Sequence, residues 1–219
     1  RPEQIVELAS DAQRERFLPP FMNDDTYLLA MGGSEPGAGS DNRMPPPDHP
    51  KAGWKTSAVR KGDSWVLNGM KHFIANGGVA SLYVVRTRTD SNEPLSRGMT
   101  MFFMPKDTPG FTIGRTHDKV GFRFYQNAEL IFENCRIPDG NRLGEVNKGR
   151  NPGGEKVVGF NDVELSANLL GISQAACGHG LELSRNRVQG GRPIIEHQAD
   201  KRKLDLEIAI IDPADIHYY

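Results

Sequence analysis

The chain has 219 residues, of which 37% are hydrophobic, and its formal net charge at pH 7 is −1. This length is sufficient for one large domain, and the near-neutral charge argues against nucleic-acid binding, which needs a basic face. The two cysteines, Cys135 and Cys177, lack metal-type spacing, so the sequence indicates no metal site, and no apolar run is long enough to span a membrane.

The N-terminal region is predicted to be helical. Apolar residues recur at helical spacing from residue 3 to residue 17, among charged and amide side chains. We expect this helix to end at Leu18-Pro19-Pro20, because a proline disfavours helical geometry in the residue before it.

From residue 26 to about residue 137 the sequence predicts short strands and turns. Alternating apolar runs are separated by Gly, Pro and Asp, which is typical of an antiparallel barrel or sandwich. One hairpin is predicted around Lys61-Gly62-Asp63, and the methionine-rich run 99–104 is predicted to lie in the core. The stretch 64–78 indicates a strand, a turn at Asn68-Gly69 and a second strand that carries Phe73.

After Gly154 the hydrophobic period becomes that of helices. Residues 157–187 predict one long helix, and its small residues would allow close helix packing. The turn Gly190-Gly191-Arg192-Pro193 separates it from a second predicted helix, from residue 194 to about 211. Two helices cannot bury both their faces alone, so we expect further helices, another subunit or the β region to cover them.

A glycine-rich stretch follows the first predicted strand: Met31-Gly32-Gly33-Ser34-Glu35-Pro36-Gly37-Ala38-Gly39-Ser40-Asp41. The glycines let the main chain approach a ligand closely, and Pro36 stiffens the turn. Exposed N–H groups beside the hydroxyls of Ser34 and Ser40 suit phosphate, carbonyl or ring-nitrogen acceptors. A plain connecting loop has a similar composition, so this stretch alone leaves both roles open.

The loop, the stretch 64–78, the turn 107–111 and the run 132–138 together resemble the acyl-CoA dehydrogenase family, in order and spacing, from about residue 3 to residue 208. Ser-Glu-Pro-Gly-Ala-Gly-Ser-Asp followed by Leu-Asn-Gly-x-Lys-x-Phe-Ile is the specific part. The resemblance implies an α+β fold with an antiparallel β-barrel or sandwich domain at 26–140. The end of an N-terminal helical domain would precede it at 1–25, and an incomplete C-terminal helical domain would follow at 154–219. The chain is a fragment by this comparison.

The activity that the resemblance implies is FAD-dependent α,β-dehydrogenation of an acyl-CoA thioester. A carboxylate removes the Cα proton while the Cβ hydrogen leaves as hydride to the flavin. Two alternatives stay open: a flavin monooxygenase or other flavoenzyme on the same scaffold, and a non-catalytic flavin-binding or structural fragment. The family further implies an electron-accepting partner protein, a homo-oligomer (dimer or tetramer), and a bacterial cytoplasmic or mitochondrial-matrix location.

The flavin contacts that the resemblance implies come from two stretches. Met31, Gly32, Gly33 and Ser34 resemble the segment along the flavin edge, and Ser40 resembles a serine near both the acyl-CoA and the flavin. Turn capping is the alternative role for both hydroxyls.

The second stretch is Phe73-Ile74-Ala75. Phe73 stands where family members usually carry a tryptophan against the flavin face, so the apolar plane is kept and the indole N–H is lost. Ile74 and Ala75 complete this set. Ala75 stands where a Thr or Ser hydroxyl usually meets flavin N5, which leaves only a backbone N–H for that contact.

Arg187 and Gln198 resemble a pair that reaches the FAD diphosphate across a subunit interface. A guanidinium suits phosphate through its fork of donors. A solvated arginine at a helix C-terminus is the alternative.

The catalytic base is not identified by the sequence. In many family members the base lies on a late C-terminal helix that this chain does not contain, and in a minority it lies on the helix that corresponds to 157–187. On that helix Asp162 and Glu164 are the candidates, and a solvated helix-surface carboxylate is the alternative for each.

Overall fold

The computed structural model describes residues 8–43, 49–148 and 155–206. The chain forms two compact units, Arg1–Gly153 and Gly154–Tyr219. Within the described ranges, no helix combines the length and the apolar character needed to cross a membrane.

The first unit begins with helix α1, Asp11–Asn23. Ser10 caps it, because its hydroxyl accepts from the Gln13 amide while the Gln13 side chain accepts from the Ser10 amide. The helix predicted over 3–17 is therefore wrong in two respects: it does not run continuously through Ser10, and it does not end before Pro19 and Pro20. Its predicted start, at residues 3–7, lies outside the described residues. The helix tolerates the prolines because the residues whose carbonyls lose a partner, Glu15 and Arg16, are exposed.

Eight strands of the first unit form one sheet. They are β1 Leu29–Gly32, β2 Ser57–Lys61, β3 Ser64–Ala75, β4 Leu82–Arg88, β5 Met99–Pro105, β6 Phe111–Thr116, β7 Asn127–Pro138 and β8 Arg142–Leu143. The order is β6-β7-β3-β2-β4-β5-β8, with β1 pairing in parallel to β4. A short helix, α2 Leu95–Gly98, precedes β5. The predicted α+β class with a mainly antiparallel sheet is confirmed.

Strands β4 and β5 are buried on both faces. Tyr83 and Phe102 belong to one core cluster, and their neighbours Val84 and Phe103 belong to the other, where the ring of Phe17 from α1 covers them at 4.8 Å from Phe103. Side chains alternate between the faces of a strand, so a strand between two cores needs apolar residues at successive positions, as at 82–85 in β4 and 101–104 in β5. The prediction that the methionine-rich strand lies in the core is confirmed.

Strand β3 runs without interruption through Asn68-Gly69, so the turn predicted there is wrong. Gly69 has φ +136°, and the β3–β7 register shifts between Leu67 and Gly69, which marks a bulge rather than a reversal. A Cβ on Gly69 would lie 2.8 Å from Thr56, so the glycine serves close packing against that residue. The hairpin predicted around Lys61-Gly62-Asp63 is present between β2 and β3.

The second unit contains helix α3, Glu155–Asn186, as one uninterrupted helix. The two-residue strands β9 Val188–Gln189 and β10 Arg192–Pro193 then form a hairpin through Gly190 and Gly191, both at positive φ. The second predicted helix does not begin at residue 194, because Ile194–Glu196 form a 3-10 turn. Helix α4 covers 198–206, and the predicted residues 207–211 lie outside the described ranges.

Candidate functional site

The glycine-rich loop after β1 is joined to strand β3 by the main chain. The His72 amide donates to the Ser34 carbonyl at 2.8 Å, and a Cβ on Gly32 would lie 3.3 Å from the Lys71 side chain. Ser34 and Ser40 are exposed, and neither hydroxyl has a hydrogen-bond partner among the residues that the structure describes. Both hydroxyls are therefore accessible to a ligand.

The loop is anchored by a buried ion pair that the sequence analysis did not predict. Lys71 Nζ lies 2.7 Å from Glu35 Oε1, and the two side chains are 0% and 5% exposed. Lys71 also donates to the Gly33 carbonyl, and the Glu35 carboxylate accepts from the amides of Lys55 and Thr56 at 2.6 and 2.9 Å. These contacts fix the loop between β3 and the segment before β2.

The electrostatics of the pair are set by burial and by the two opposite charges. Burial lowers the pKa of Lys71 to about 8, against the opposing attraction of Glu35. Burial acts to raise the pKa of Glu35, but the Lys71 ammonium and the hydrogen bonds outweigh it, so this pKa lies below its ordinary value. At neutral pH both groups are therefore charged in the folded protein.

Phe73 lies at a second bulge in β3. Lys71 pairs with Leu130 and Ile74 with Ala128, so three steps on β3 face two on β7. The extra residue lets Lys71 and Ile74 both point inward, while Phe73, at φ +55°, remains 56% exposed. A non-glycine residue at positive φ is strained, and bulges beside functional sites often redirect a side chain in this way.

Two histidines pack against Phe73. The ring centroids of His72 and His117 lie 4.1 and 4.4 Å from that of Phe73, and 4.5 Å from each other. His72 Nε2 lies 3.3 Å from Glu129 Oε1. Burial and the neighbouring His72 lower the pKa of His117 despite the attraction of Glu129, so its neutral form is favoured.

The structure brings one part of the predicted flavin-contacting set together. Met31 and Gly32 end β1, Ser34 follows them, and Phe73 adjoins the residue that bonds to Ser34. The remaining four residues lie close by in the chain, and the first of them, Gly33, directly precedes Ser34. Ser40 opens a 3-10 turn, Ile74 is buried and Ala75 is half-buried. The roles of all these residues remain predictions.

The other predicted residues belong to the second unit. Arg187 and Gln198 are exposed, and the Arg187 carbonyl accepts from the Ile194 amide at 2.9 Å. Asp162 and Glu164 lie on α3, and their side chains are outside the described residues. Their roles also remain predictions.

The sequence analysis missed His117 and Glu129, which are far from Phe73 in the chain. No local sequence signal marks them, because they meet only when β6 pairs with β7, where Thr116 opposes Ala128 beside a shift in register. A shallow cleft lies at the opposite end of β3. Its lining residues are Lys61, Asp63, Ser64, Pro109, Arg136 and Pro138.

Known proteins share both the sequence and the fold of this chain. Residues 30–135 match the family described as acyl-CoA dehydrogenase, middle domain. The short-chain specific acyl-CoA dehydrogenase of Megasphaera elsdenii is 36% identical over 208 residues, which are 94% of this chain and 51% of that relative.

Solved structures agree with this match. Butyryl-CoA dehydrogenase from Megasphaera elsdenii superposes with a TM-score of 0.85 at 34% identity, over 99% of this chain and 54% of that one. A glutaryl-CoA dehydrogenase from Mycobacterium smegmatis, in complex with FADH2, gives a TM-score of 0.82 at 25% identity, over 98% and 51%. The chain spans about half the length of the curated relatives it matches. It belongs to the acyl-CoA dehydrogenase family.

Proposed function

We propose that this protein is an FAD-dependent acyl-CoA dehydrogenase that removes hydrogen from the α and β carbons of an acyl-CoA thioester. The observation that carries the proposal is Phe73, a strained and exposed aromatic residue next to the open glycine-rich loop. Some relatives and one neighbour are named as short-chain specific or butyryl-CoA dehydrogenases, which supports a short acyl chain as the substrate class. Other relatives are named for cyclohex-1-ene-1-carbonyl-CoA and isovaleryl-CoA.

The residues present fit a flavin. The exposed ring of Phe73, on β3, offers an apolar plane. The accessible hydroxyls of Ser34 and Ser40, on the glycine-rich loop, offer donors, and the His72–Ser34 hydrogen bond joins the loop to β3. A Cβ on Gly33 would meet nothing within 4 Å, so the main chain there is open to a close-lying ring. The neighbour with FADH2 is consistent with this fit.

Each of the candidate residues has a separate role in the proposed reaction. Bound FAD supplies a hydride acceptor for the hydrogen that leaves Cβ. Phe73 supports the ring system, while Met31 to Ser34 and the backbone of Ala75 donate to its polar edge. Ser40 contacts the acyl-CoA as well as the cofactor. The α proton needs a carboxylate acceptor, for which Asp162 and Glu164 are the candidates of this chain.

We also propose that the protein is a homo-oligomer that passes electrons to a partner protein. Arg187 and Gln198 would bind the FAD diphosphate of another subunit. Helix α3 supports this because several of its apolar side chains are exposed, and a second copy would cover them. These residues are Val163, Leu165, Leu169, Ile172 and Leu183. The domain division at 1–25, 26–140 and 154–219 is part of the same proposal.

The test begins with the visible spectrum of the purified protein, in which bound flavin absorbs. Butyryl-CoA is then added without oxygen. We expect the flavin absorbance to bleach, while dithionite gives the full bleaching as the reference. Bound flavin that butyryl-CoA leaves oxidised would favour another flavoenzyme on this scaffold, and protein that binds no FAD would favour a non-catalytic role.

The same assay separates the two carboxylates. Loss of bleaching in Asp162→Asn or in Glu164→Gln, with FAD still bound, would identify the base. Bleaching that survives both substitutions would show that the base lies elsewhere.

A further inference from the structure

We propose that His72, His117 and Glu129 form a binding site for a divalent transition metal of the zinc class, on the surface of the β unit beside Phe73. The three residues each offer one ligand atom, and these atoms lie within 4.8 Å of one another. The inference stands on this geometry and does not depend on the proposed dehydrogenase activity.

The donor set matches the chemistry of zinc. Two imidazole nitrogens and one carboxylate oxygen, with an open fourth position, form a common three-ligand zinc site. Bond lengths of about 2.0–2.2 Å in a tetrahedron place ligand atoms about 3.3–3.6 Å apart. His72 Nε2 and Glu129 Oε1, at 3.3 Å, already meet this spacing, so only His117 must move closer.

The protein backbone brings the three ligands together from three neighbouring strands. Glu129 lies on β7 between Ala128 and Leu130, which are the two positions where the registers of both β3 and β6 shift. The bulge in β3 carries His72, and the chain leaving β6 carries His117. Each bulge inserts one extra residue, which directs these side chains toward the carboxylate.

Outer contacts orient the carboxylate and leave one imidazole nitrogen unused. Glu129 Oε2 accepts from the Arg115 amide at 3.1 Å, which leaves Oε1 facing His72. A Cβ on Gly114 would lie 2.9 Å from Oε2, so a larger residue there would displace the carboxylate from this position. The buried Nε2 of His117 has no hydrogen-bond partner in the described part of the chain. Coordination of a metal ion through that nitrogen would give it a partner.

The site is accessible to solvent, and its two histidine rings pack against Phe73. The side chains of His72 and Glu129 are each 22% exposed, so an ion can enter from solvent and water can fill the fourth position. Phe73 packs under both imidazoles, and the His117 amide donates to the Asn127 carbonyl at 2.8 Å. These contacts hold the two rings near the bound geometry, which lowers the ordering cost of binding.

The experiment measures Zn²⁺ binding to full-length, tag-free protein that has been treated with chelator, by isothermal titration calorimetry. We expect one ion per chain. Loss of an outer-shell partner usually weakens metal binding by about 10–100-fold, so His117→Ala and Glu129→Gln, which remove direct ligands, should weaken it by more. His179→Ala removes an exposed histidine of α3 and should bind as the wild type does.

Co²⁺ provides a second measurement that does not depend on one variant folding well. Its visible bands should show four-coordinate geometry in the wild type and in His179→Ala, and should be lost in His72→Asn as well as in His117→Ala. Circular dichroism confirms the fold of each variant. Zn²⁺ affinity unchanged in His117→Ala and His72→Asn, or equal losses in the His179→Ala control, would overturn the proposal.

Discussion

The ammonium of Lys71 lies 2.7 Å from the carboxylate of Glu35, and this ion pair joins the glycine-rich loop to the strand that carries Phe73. Removing one partner leaves the other as an uncompensated buried charge, which costs about 3–5 kcal/mol. Lys71→Met should therefore lower the free energy of unfolding of the β unit by about this amount. Urea denaturation followed by tryptophan fluorescence measures it, because both tryptophans, Trp54 and Trp65, belong to this unit.

Two further variants make this test specific. The double variant Glu35→Gln/Lys71→Met should lose less stability than Lys71→Met alone, because it removes both charges. Arg97→Met breaks an exposed pair with Glu93 and should cost less than about 1 kcal/mol. A double variant as unstable as the sum of its single variants would show that the two groups are not coupled.

The same pair predicts how stability depends on acid. Burial acts to raise the pKa of Glu35, but Lys71 and the hydrogen bonds hold it below the ordinary 4.5. Between the lowered folded pKa and 4.5, the unfolded chain binds more protons at Glu35 than the folded protein does, so the free energy of unfolding rises with pH. The stabilisation that Glu35 contributes is therefore lost as the pH falls through the folded pKa. The stability difference between wild type and Glu35→Gln should therefore narrow as the pH is lowered from neutral through 4.5 toward the folded pKa. Urea midpoints across this range measure it, and a constant difference would contradict the prediction.

Gly69 supports a prediction about backbone packing. A side chain there would combine φ +136° with a Cβ only 2.8 Å from Thr56. Gly69→Ala should therefore destabilise the β unit by at least about 1–3 kcal/mol. The control is Gly140→Ala, since a Cβ at residue 140 meets nothing within 4 Å. Similar urea midpoints for the two variants would show that the close contact at Gly69 is relaxed easily.

The sequence was informative where local pattern decides the structure. Helix α3, the hairpin between β2 and β3 and the buried methionine-rich strand follow from periodicity and turn residues alone. The turn at Asn68-Gly69 was mispredicted because that dipeptide is a strong hairpin signal, while the contact that decides its role is with Thr56, outside the dipeptide.

The candidate site depended on contacts that local pattern does not contain. A lysine in a strand is expected to be exposed. Lys71 is buried because it forms an ion pair with Glu35, and local pattern does not reveal this partner because it lies 36 residues away in the chain. The bulge at Phe73 similarly depends on the register with β7, which breaks the alternation of sides along β3. The histidine and carboxylate ligands next to it become neighbours only when β3, β6 and β7 are paired.

Arg187 supports a prediction about cofactor retention. If its guanidinium binds the FAD diphosphate, Arg187→Ala loses a charge-assisted contact of about 1.5–3 kcal/mol, which corresponds to about a ten- to hundredfold weaker affinity. Arg185→Ala is the control, because it removes another exposed arginine two residues earlier, in the last turn of α3. Flavin absorbance after extensive dialysis measures retention. Equal FAD content in the two variants would assign Arg187 to the solvated helix end.

Phe73 supports the most direct prediction about the proposed flavin site. Its ring is exposed and strained, and we expect it to lie against the isoalloxazine, where an aromatic contact adds about 0.5–1.5 kcal/mol beyond area burial. Phe73→Ala should therefore weaken FAD binding by at least about two- to tenfold, measured by fluorescence titration of the apoprotein. Phe73→Trp keeps an aromatic plane and should retain binding.

Phe122→Ala is a closely matched control for Phe73→Ala. Phe122 is also exposed and also has a positive φ, of 51°, so both variants lose the same side chain from a position with a similar φ. Any general effect of that loss on stability appears in both thermal unfolding curves. FAD binding should change only in Phe73→Ala. Equal effects of the two alanine substitutions on FAD affinity would place the flavin away from Phe73 and remove the observation on which the proposed function rests.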